Sequence, residues 1–302
     1  MRTGRGKRHY PPLQDFAGPL TPYLYVAPAL LVILVFLIYP LLSVVYYGSL
    51  DWDGLSAKVF VGASNFVRLG ADPAFWTSLK TNLIYVGFFS FVPVVAGLVL
   101  SSVIGRVAVP AERAFRAILL APQVIASVAM GIIFGWIFAP TFGVLNGVLA
   151  ALGLAHLQEP WLGSPVLAPV SIGLVGTWLW VGFAVIVFFS GIKKVDEHLY
   201  DAAKLDGAGP LRQFLFVTVP QVRPEIVVVV IMTLVWSFGS SVFGIVVSIS
   251  GGGYRTTPVS LYAYQLAFLQ GRMGYGSAVI IVLMLVILAL SALAYRLGEG
   301  RR

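Results

Sequence analysis

Residues 196–224 read DEHLYDAAKLDGAGPLRQFLFVTVPQVRP and form the longest polar interruption between apolar runs in the chain. Asp196 is placed to cap a short helix that runs to about Leu205. Gly207 stands where a helix ends in a left-handed residue. Gly209 and Pro210 then restart the chain, with proline at the first helical position, where a missing N–H costs nothing. The first helix puts Val195, Leu199, Ala202 and Ala203 on one side at i, i+4, i+7 and i+8 spacing. Two turns of helix cannot bury that face unaided. The small residues Ala202, Ala203, Gly207, Ala208 and Gly209 allow another backbone to come close. Two readings follow: a loop folded back on its own helices, or a docking element for a partner.

What flanks this loop decides the class. The chain has 302 residues, 59% hydrophobic and 11% charged, which excludes an ordinary soluble domain and disorder. Without cysteine there is no disulfide framework and no thiolate metal site. His9, His156 and His198 are far apart and make no metal spacing. Six apolar runs are long enough to cross a bilayer, at about 23–47, 81–105, 116–139, 166–191, 224–249 and 276–297. The first is too long for a signal-peptide core and lacks a small-residue cleavage site. Pro28 and Pro40 are expected to kink its ends. Residues 1–22, with Arg2, Arg5, Lys7 and Arg8, read as a cytoplasmic tail, and 23–302 as one transmembrane domain with its polar loop at 192–223. With the N-terminus inside, fifteen of the twenty Lys and Arg residues fall on the cytoplasmic side. That bias explains the net charge of +8 without nucleic acid and puts the 196–224 loop in the cytoplasm. The fold class is all-α integral membrane, with six spans and both termini cytoplasmic.

The loop resembles the EAA loop of bacterial ABC-importer permeases, whose pattern is E-A-A-x3-G-x9-I-x-L-P. Here Asp201, Ala202, Ala203, Gly207, Val217, Val219 and Pro220 stand at the family spacing, with Asp for Glu and Val for Ile and Leu. The local form D-A-A-K-L-D-G-A, which includes Asp206 and Ala208, with Phe214 following, is similar to the carbohydrate branch that contains the maltose-type permeases. Weaker likenesses lie in the outer loops: V-G-x-x-N-F before the second span, G-x-L-N after the third, and Gly251-Gly252-Gly253 after the fifth. The resemblance covers the chain from about Tyr23 to its end.

The central parts of the six spans contain no Asp, Glu, Lys, Arg or His. Ion-coupled carriers place such groups there, so their absence argues against a self-powered carrier. No G-x4-G-K-[ST] phosphate loop occurs, so ATP chemistry belongs elsewhere. Asp51-Trp52-Asp53 has the form of a D-x-D metal motif, but an interfacial Trp flanked by solvated acids accounts for it. The triple glycine reads as a flexible turn. Trp178, Trp180 and Phe183 in the fourth span, and Trp236, Phe238, Ser240 and Ser241 in the fifth, read either as helix packing or as a sugar site near the midplane. Aromatic rings stack on sugar C–H faces, and small polar groups meet hydroxyls.

The resemblance implies the type I importer permease fold, with a cytoplasmic coupling-helix loop. It implies a second homologous permease, two copies of an ATPase that bind ATP and Mg, an extracytoplasmic sugar-binding protein and surrounding lipid. No metal or cofactor is implied for this chain. The cargo is expected to be a mono- or oligosaccharide carried across the bacterial cytoplasmic membrane. In that scheme Asp201, Ala202, Ala203, Asp206, Gly207, Ala208, Val217 and Pro220 couple to the ATPase. Trp180 is bulky where a long saccharide would need room, which points to a smaller substrate or to a pocket formed mainly by the partner. Two alternatives stay open: a permease for glycerol-phosphate esters, amino acids or another solute, and a membrane enzyme of lipid or glycan assembly.

Overall fold

The computed structural model describes residues 21–105, 112–239 and 255–299. Four helices there are long and apolar enough to span a bilayer: α1 (Tyr23–Gly48), α3 (Pro73–Ile104), α7 (Leu167–Ile192) and α12 (Met273–Glu299). Two bent pairs bring the number to as many as six. They are α4 (Glu112–Val124) with α5 (Ser127–Ile137), at 91°, and α9 (Pro210–Gln221) with α10 (Arg223–Phe238), at 73°. Shorter helices join them: α2 (Ser64–Gly70), α6 (Val144–Ala151), α8 (Glu197–Leu205) and α11 (Val259–Leu269).

The run read as one span at 116–139 is therefore broken. Pro122 lies in the last turn of α4, and Ala126 is extended at φ −59°, ψ 137° before α5 begins. The run read as 224–249 is described only as far as Gly239, with α10 as its first part. Ser240, Ser241 and Gly251–Gly253 lie outside the described residues.

Prolines set the local form of three helices. Pro40, Pro93 and Pro220 each follow a π-turn, at Leu34–Ile38, Gly87–Phe91 and Phe214–Thr218. A proline has no N–H to give to the carbonyl four residues back, and its ring pushes that carbonyl aside. Those carbonyls belong to Phe36, Phe89 and Phe216, the middle residue of each π-turn. Widening the helix there accommodates the proline without ending the element. Pro40 thus acts within α1 rather than at its end.

The centre of the bundle is α7, sixteen of whose residues are buried. It packs along the second half of α3. Gly97 lies so close to Ala184 that a Cβ on it would sit 2.6 Å from the alanine methyl. Small residues let helix backbones approach in a membrane, where no hydrophobic force draws them together. The second half of α1 packs on α12, while no residue in the most apolar stretch of α1 is buried.

Polar side chains tie the helices at one end. Asn82 is fully buried; its amide donates to the Ser237 carbonyl at 3.1 Å, and its oxygen accepts from the Val259 amide at 2.7 Å. Tyr85 donates to the Thr256 carbonyl at 2.8 Å. Asn82→Leu leaves one carbonyl and one amide buried without partners, at about 1–3 kcal/mol each. A lowered melting temperature of the detergent-solubilised protein is the expected result, and an unchanged one contradicts it.

At that same end, β1 (Leu50–Asp51) pairs with β2 (Val59–Phe60) in a short antiparallel hairpin. Asp53 caps its turn by accepting from the Ser56 and Leu55 amides, at 2.7 and 2.8 Å. The Ser56 amide, then that of Leu55, lowers its pKa to about 2. Trp52 donates to the Ser56 carbonyl, and Lys58 lies over its ring at 4.6 Å. Asp51-Trp52-Asp53 is a hairpin turn with a cation on its tryptophan, and among the described residues no three His, Cys, Asp or Glu side chains gather as a metal site.

Candidate functional site

Two regions qualify, at different levels of the bundle. The first is the loop at 196–224. The Asp196 carboxylate accepts from the His198 amide at 3.0 Å and starts α8. At the other end Gly207 is left-handed, at φ +75°. The Ala208 amide reaches the Ala203 carbonyl at 2.8 Å, and the Gly207 amide reaches that of Lys204 at 3.0 Å. This pair of bonds is the Schellman closure, in which Asp206 is the C-cap residue. Gly209 then leads into Pro210 at the start of α9.

Hydrogen bonds fix α8 against α9. Tyr200 and Thr218 share one between hydroxyls at 3.0 Å, and Gln213 donates to the Ala208 carbonyl at 2.8 Å. No residue of α8 is buried. Leu199 and Ala202 are exposed, Ala203 and Ala208 half-buried, and Leu205 is 89% exposed. Asp201 pairs with Lys204 at 2.9 Å, and that hydrogen bond, with the lysine's charge, holds its carboxyl below the ordinary carboxylate range. Val217 lies half-buried in the π-turn before Pro220, which is exposed. Beneath α8, toward the ends of α3 and α7, is a cleft of 590 Å³ whose walls include Tyr200, Asp201, Gln213 and Ser102. Leu205, Leu211 and Phe216 extend the exposed apolar surface and were not singled out from sequence. Apolar residues in the chain's most polar loop were the available signal.

The second region is a cavity of 320 Å³ at the break between α4 and α5. Its walls are Gln123, Ile125, Ser127, Met130, Leu179, Trp180 and Trp236. The rings of Trp180 and Trp236 lie 5.4 Å apart and tilted by 43°, and Phe183 meets Trp180 edge-on at 5.7 Å. Trp180 is 7% exposed, and neither its indole N–H nor the Gln123 amide nitrogen has a partner. The other sequence candidates lie elsewhere. Trp178 is directed to Phe134, 5.5 Å away, and is 43% exposed. Phe238 is buried among Leu234, Val259, Leu266 and Tyr275. Ser240 and Ser241 fall outside the described residues. Gln123 and Ser127, absent from the sequence candidates, enter because the break turns them inward. A Pro-Gln pair inside an apolar run was the signal for them.

A family model described as "Binding-protein-dependent transport system inner membrane component" matches residues 94–302. The chain is 35% identical to the probable ABC transporter permease protein YurN of Bacillus subtilis, over 90% of this chain and 94% of that protein. It is 30% identical to the lactose transport system permease protein LacF of Rhizobium radiobacter, over 93% of this chain and 94% of the other. The fold matches, at a TM-score of 0.79 and 22% identity, a chain of a bacterial ABC transporter involved in the import of the acidic polysaccharide alginate, covering 95% of this chain and 98% of that one.

Proposed function

Because the chain belongs to the family of binding-protein-dependent transport system inner membrane components, we propose that it is one membrane-spanning subunit of an ATP-binding-cassette importer for a carbohydrate. The carrying observation is α8: doubly capped, bonded to α9, and with none of its residues buried. A stiff helix that stands clear of its own bundle is built to sit in a cleft of another protein. That protein is the ATPase, present in two copies, which binds ATP and Mg and supplies the energy; this chain translocates and is not an enzyme. Asp201, Ala202, Ala203, Asp206, Gly207, Ala208, Val217 and Pro220 form or support the contact.

The protein is a multi-pass membrane protein, and its positive-charge bias supports a bacterial cytoplasmic membrane with both termini inside. In that orientation residues 1–22 are a cytoplasmic tail and 192–223 the coupling loop. A second homologous permease covers α1 and completes the pathway. An extracytoplasmic binding protein delivers the cargo to the end carrying the β1–β2 hairpin. Closure of the ATPases moves α8 and α9 as one lever, and the pathway turns from inward- to outward-facing. The carbohydrate reading rests on the tryptophan pair at the α4–α5 break and on the lactose permease among the relatives.

Purification from the native membrane in mild detergent, with mass spectrometry of what stays bound, tests the assignment. A second permease and an ATPase are expected. Recovery of this chain alone, or as a homodimer without any ATPase, overturns it.

A further inference from the structure

We infer that the cleft where the start of α3 meets the α11–α12 joint, at the end carrying the β1–β2 hairpin, is a binding site for one carboxylate group, held by Arg272. The cleft has a volume of 340 Å³, and Ser78, Tyr262, Gln265, Gln270 and Arg272 stand on its walls. Buried donors in proteins are almost always paired. Here the Nη2 of Arg272 is buried and has no partner. Ser78, 3% exposed, also makes no side-chain hydrogen bond among the described residues. Guanidinium only donates, so whatever fills the cleft has to bring acceptors. Gln265 and Gln270 add amide donors on the same walls.

Charge decides the kind of acceptor. Among the described residues Arg272 is the one charged side chain on those walls. Asp72, bonded to Tyr262 of the cleft, is already engaged. One of its oxygens accepts from the Ala74 amide at 2.9 Å, the other from the Tyr262 and Tyr275 hydroxyls at 2.6 and 2.5 Å. Asp51 and Asp53 share a neighbouring pocket of 210 Å³ with Arg272, and neither pairs with it. The ion pairs among the described residues are Lys194–Glu225 and Lys204–Asp201. Arg272 is steadied by a ring instead: its guanidinium and that of Arg68 lie over Tyr275, at 4.7 and 5.1 Å. An edge of the guanidinium is left for a planar group with two oxygens. One guanidinium balances one negative charge. A doubly charged phosphate would leave its second charge facing Asp72, so a carboxylate fits better.

The position gives the site a mechanical consequence. The Arg272 amide bonds the Leu266 carbonyl at 2.8 Å, and Gly271, at φ +61°, turns the chain from α11 into α12. A carboxylate that takes donors from both Ser78 and Arg272 ties α3 to that joint. Two sources bring the same group: a free carboxylate in the medium, or an Asp or Glu side chain of the extracytoplasmic binding protein. The importer reading enters only through the second.

The test uses the assembled protein as purified with its partners. The chain has no cysteine, so Gln270→Cys puts a single thiol of this chain on the cleft. Its alkylation by N-ethylmaleimide is followed on this chain by mass spectrometry, with sodium propionate, phosphate or chloride at equal ionic strength. Propionate should slow the reaction, about threefold at twice its Kd; phosphate should protect less, and chloride not at all. Arg272→Gln in the same background should remove the protection. Arg272→Lys, which keeps the charge but loses the two-pronged edge, should keep part of it. The lysine variant and the propionate–phosphate contrast carry the test if the glutamine variant fails to fold. The second arm adds the binding protein. If its side chain fills the site, Arg272→Gln weakens its binding about tenfold or more, and propionate competes with it. If a free carboxylate fills the site, its binding responds to neither. Alkylation unmoved by propionate, together with binding-protein affinity unmoved by Arg272→Gln, overturns the inference. Equal protection by phosphate, or full protection in Arg272→Gln, overturns it as well. Recovery of the chain without any ATPase overturns the importer reading and leaves the propionate arm standing.

Discussion

Gly207→Val abolishes ATP-driven uptake, by at least tenfold, while the chain still reaches the membrane at the wild-type level. The cause is backbone conformation and not crowding. Gly207 has φ +75°, and a Cβ built on it meets nothing within 4 Å. A β-branched residue in that region strains the backbone by about 1–2 kcal/mol or more. α8 has nine residues, none of them buried, so no packing energy is on hand to hold the turn. The Schellman bonds to Ala203 and Lys204 are then lost, and with them the fixed angle between α8 and α9. Insertion depends on the apolar spans and is untouched. Asparagine tolerates the left-handed region, so Gly207→Asn should retain most of the uptake, a contrast that size alone does not produce. Ala203→Glu should match the valine variant, because Ala203 is half-buried and its carbonyl receives the Ala208 amide that closes the helix. Uptake by whole cells and membrane abundance by immunoblot check both. Normal uptake by Gly207→Val and Ala203→Glu would remove α8 as the coupling element.

The parts legible in the sequence are those set by local chemistry. The caps of α8 involve residues at most five positions apart, so Asp196 and Gly207 announce both ends of the helix before any packing is known. The apolar runs were legible because composition alone reports a span. The break between α4 and α5 was not, since the run around it stays apolar enough to read as one span and only the Pro122-Gln123 pair hints at it. Trp178 and Trp180 show where periodicity had more to offer. Two residues apart on a helix lie about 200° apart around it, so both could not face one cavity, and only Trp180 does. Asn65 illustrates a weak motif with a firm cause. Its amide closes the end of α1 by donating to the Gly48 and Leu50 carbonyls, at 3.0 and 2.8 Å. Such long-range partners cannot be read from spacing.

Gly182→Ala lowers uptake severalfold, and Gly182→Val removes the folded protein. A Cβ on Gly182 would lie 1.9 Å from the Leu119 carbonyl oxygen and 2.7 Å from its carbon. Those are backbone atoms of α4, so no side-chain rotation relieves the clash and the whole half-helix has to move. Overpacking of this kind costs about 1–3 kcal/mol, more as the side chain grows. Leu119 lies one turn before Gln123 on the same helix, so the displacement reaches the cavity at the break. Alanine at 182 should therefore act on uptake more than on stability, whereas valine should unseat α4 from α7. Gly135→Ala is the control: its added Cβ meets nothing within 4 Å, and both uptake and melting temperature should stay at the wild-type values. Thermal melting in detergent separates the two effects. An alanine variant that loses stability and uptake in equal proportion places Gly182 in the scaffold alone. One that melts near the wild-type temperature yet carries sugar poorly places the α4–α7 contact in the transport path, because the shift of α4 that relieves the clash also moves Gln123 at the cavity.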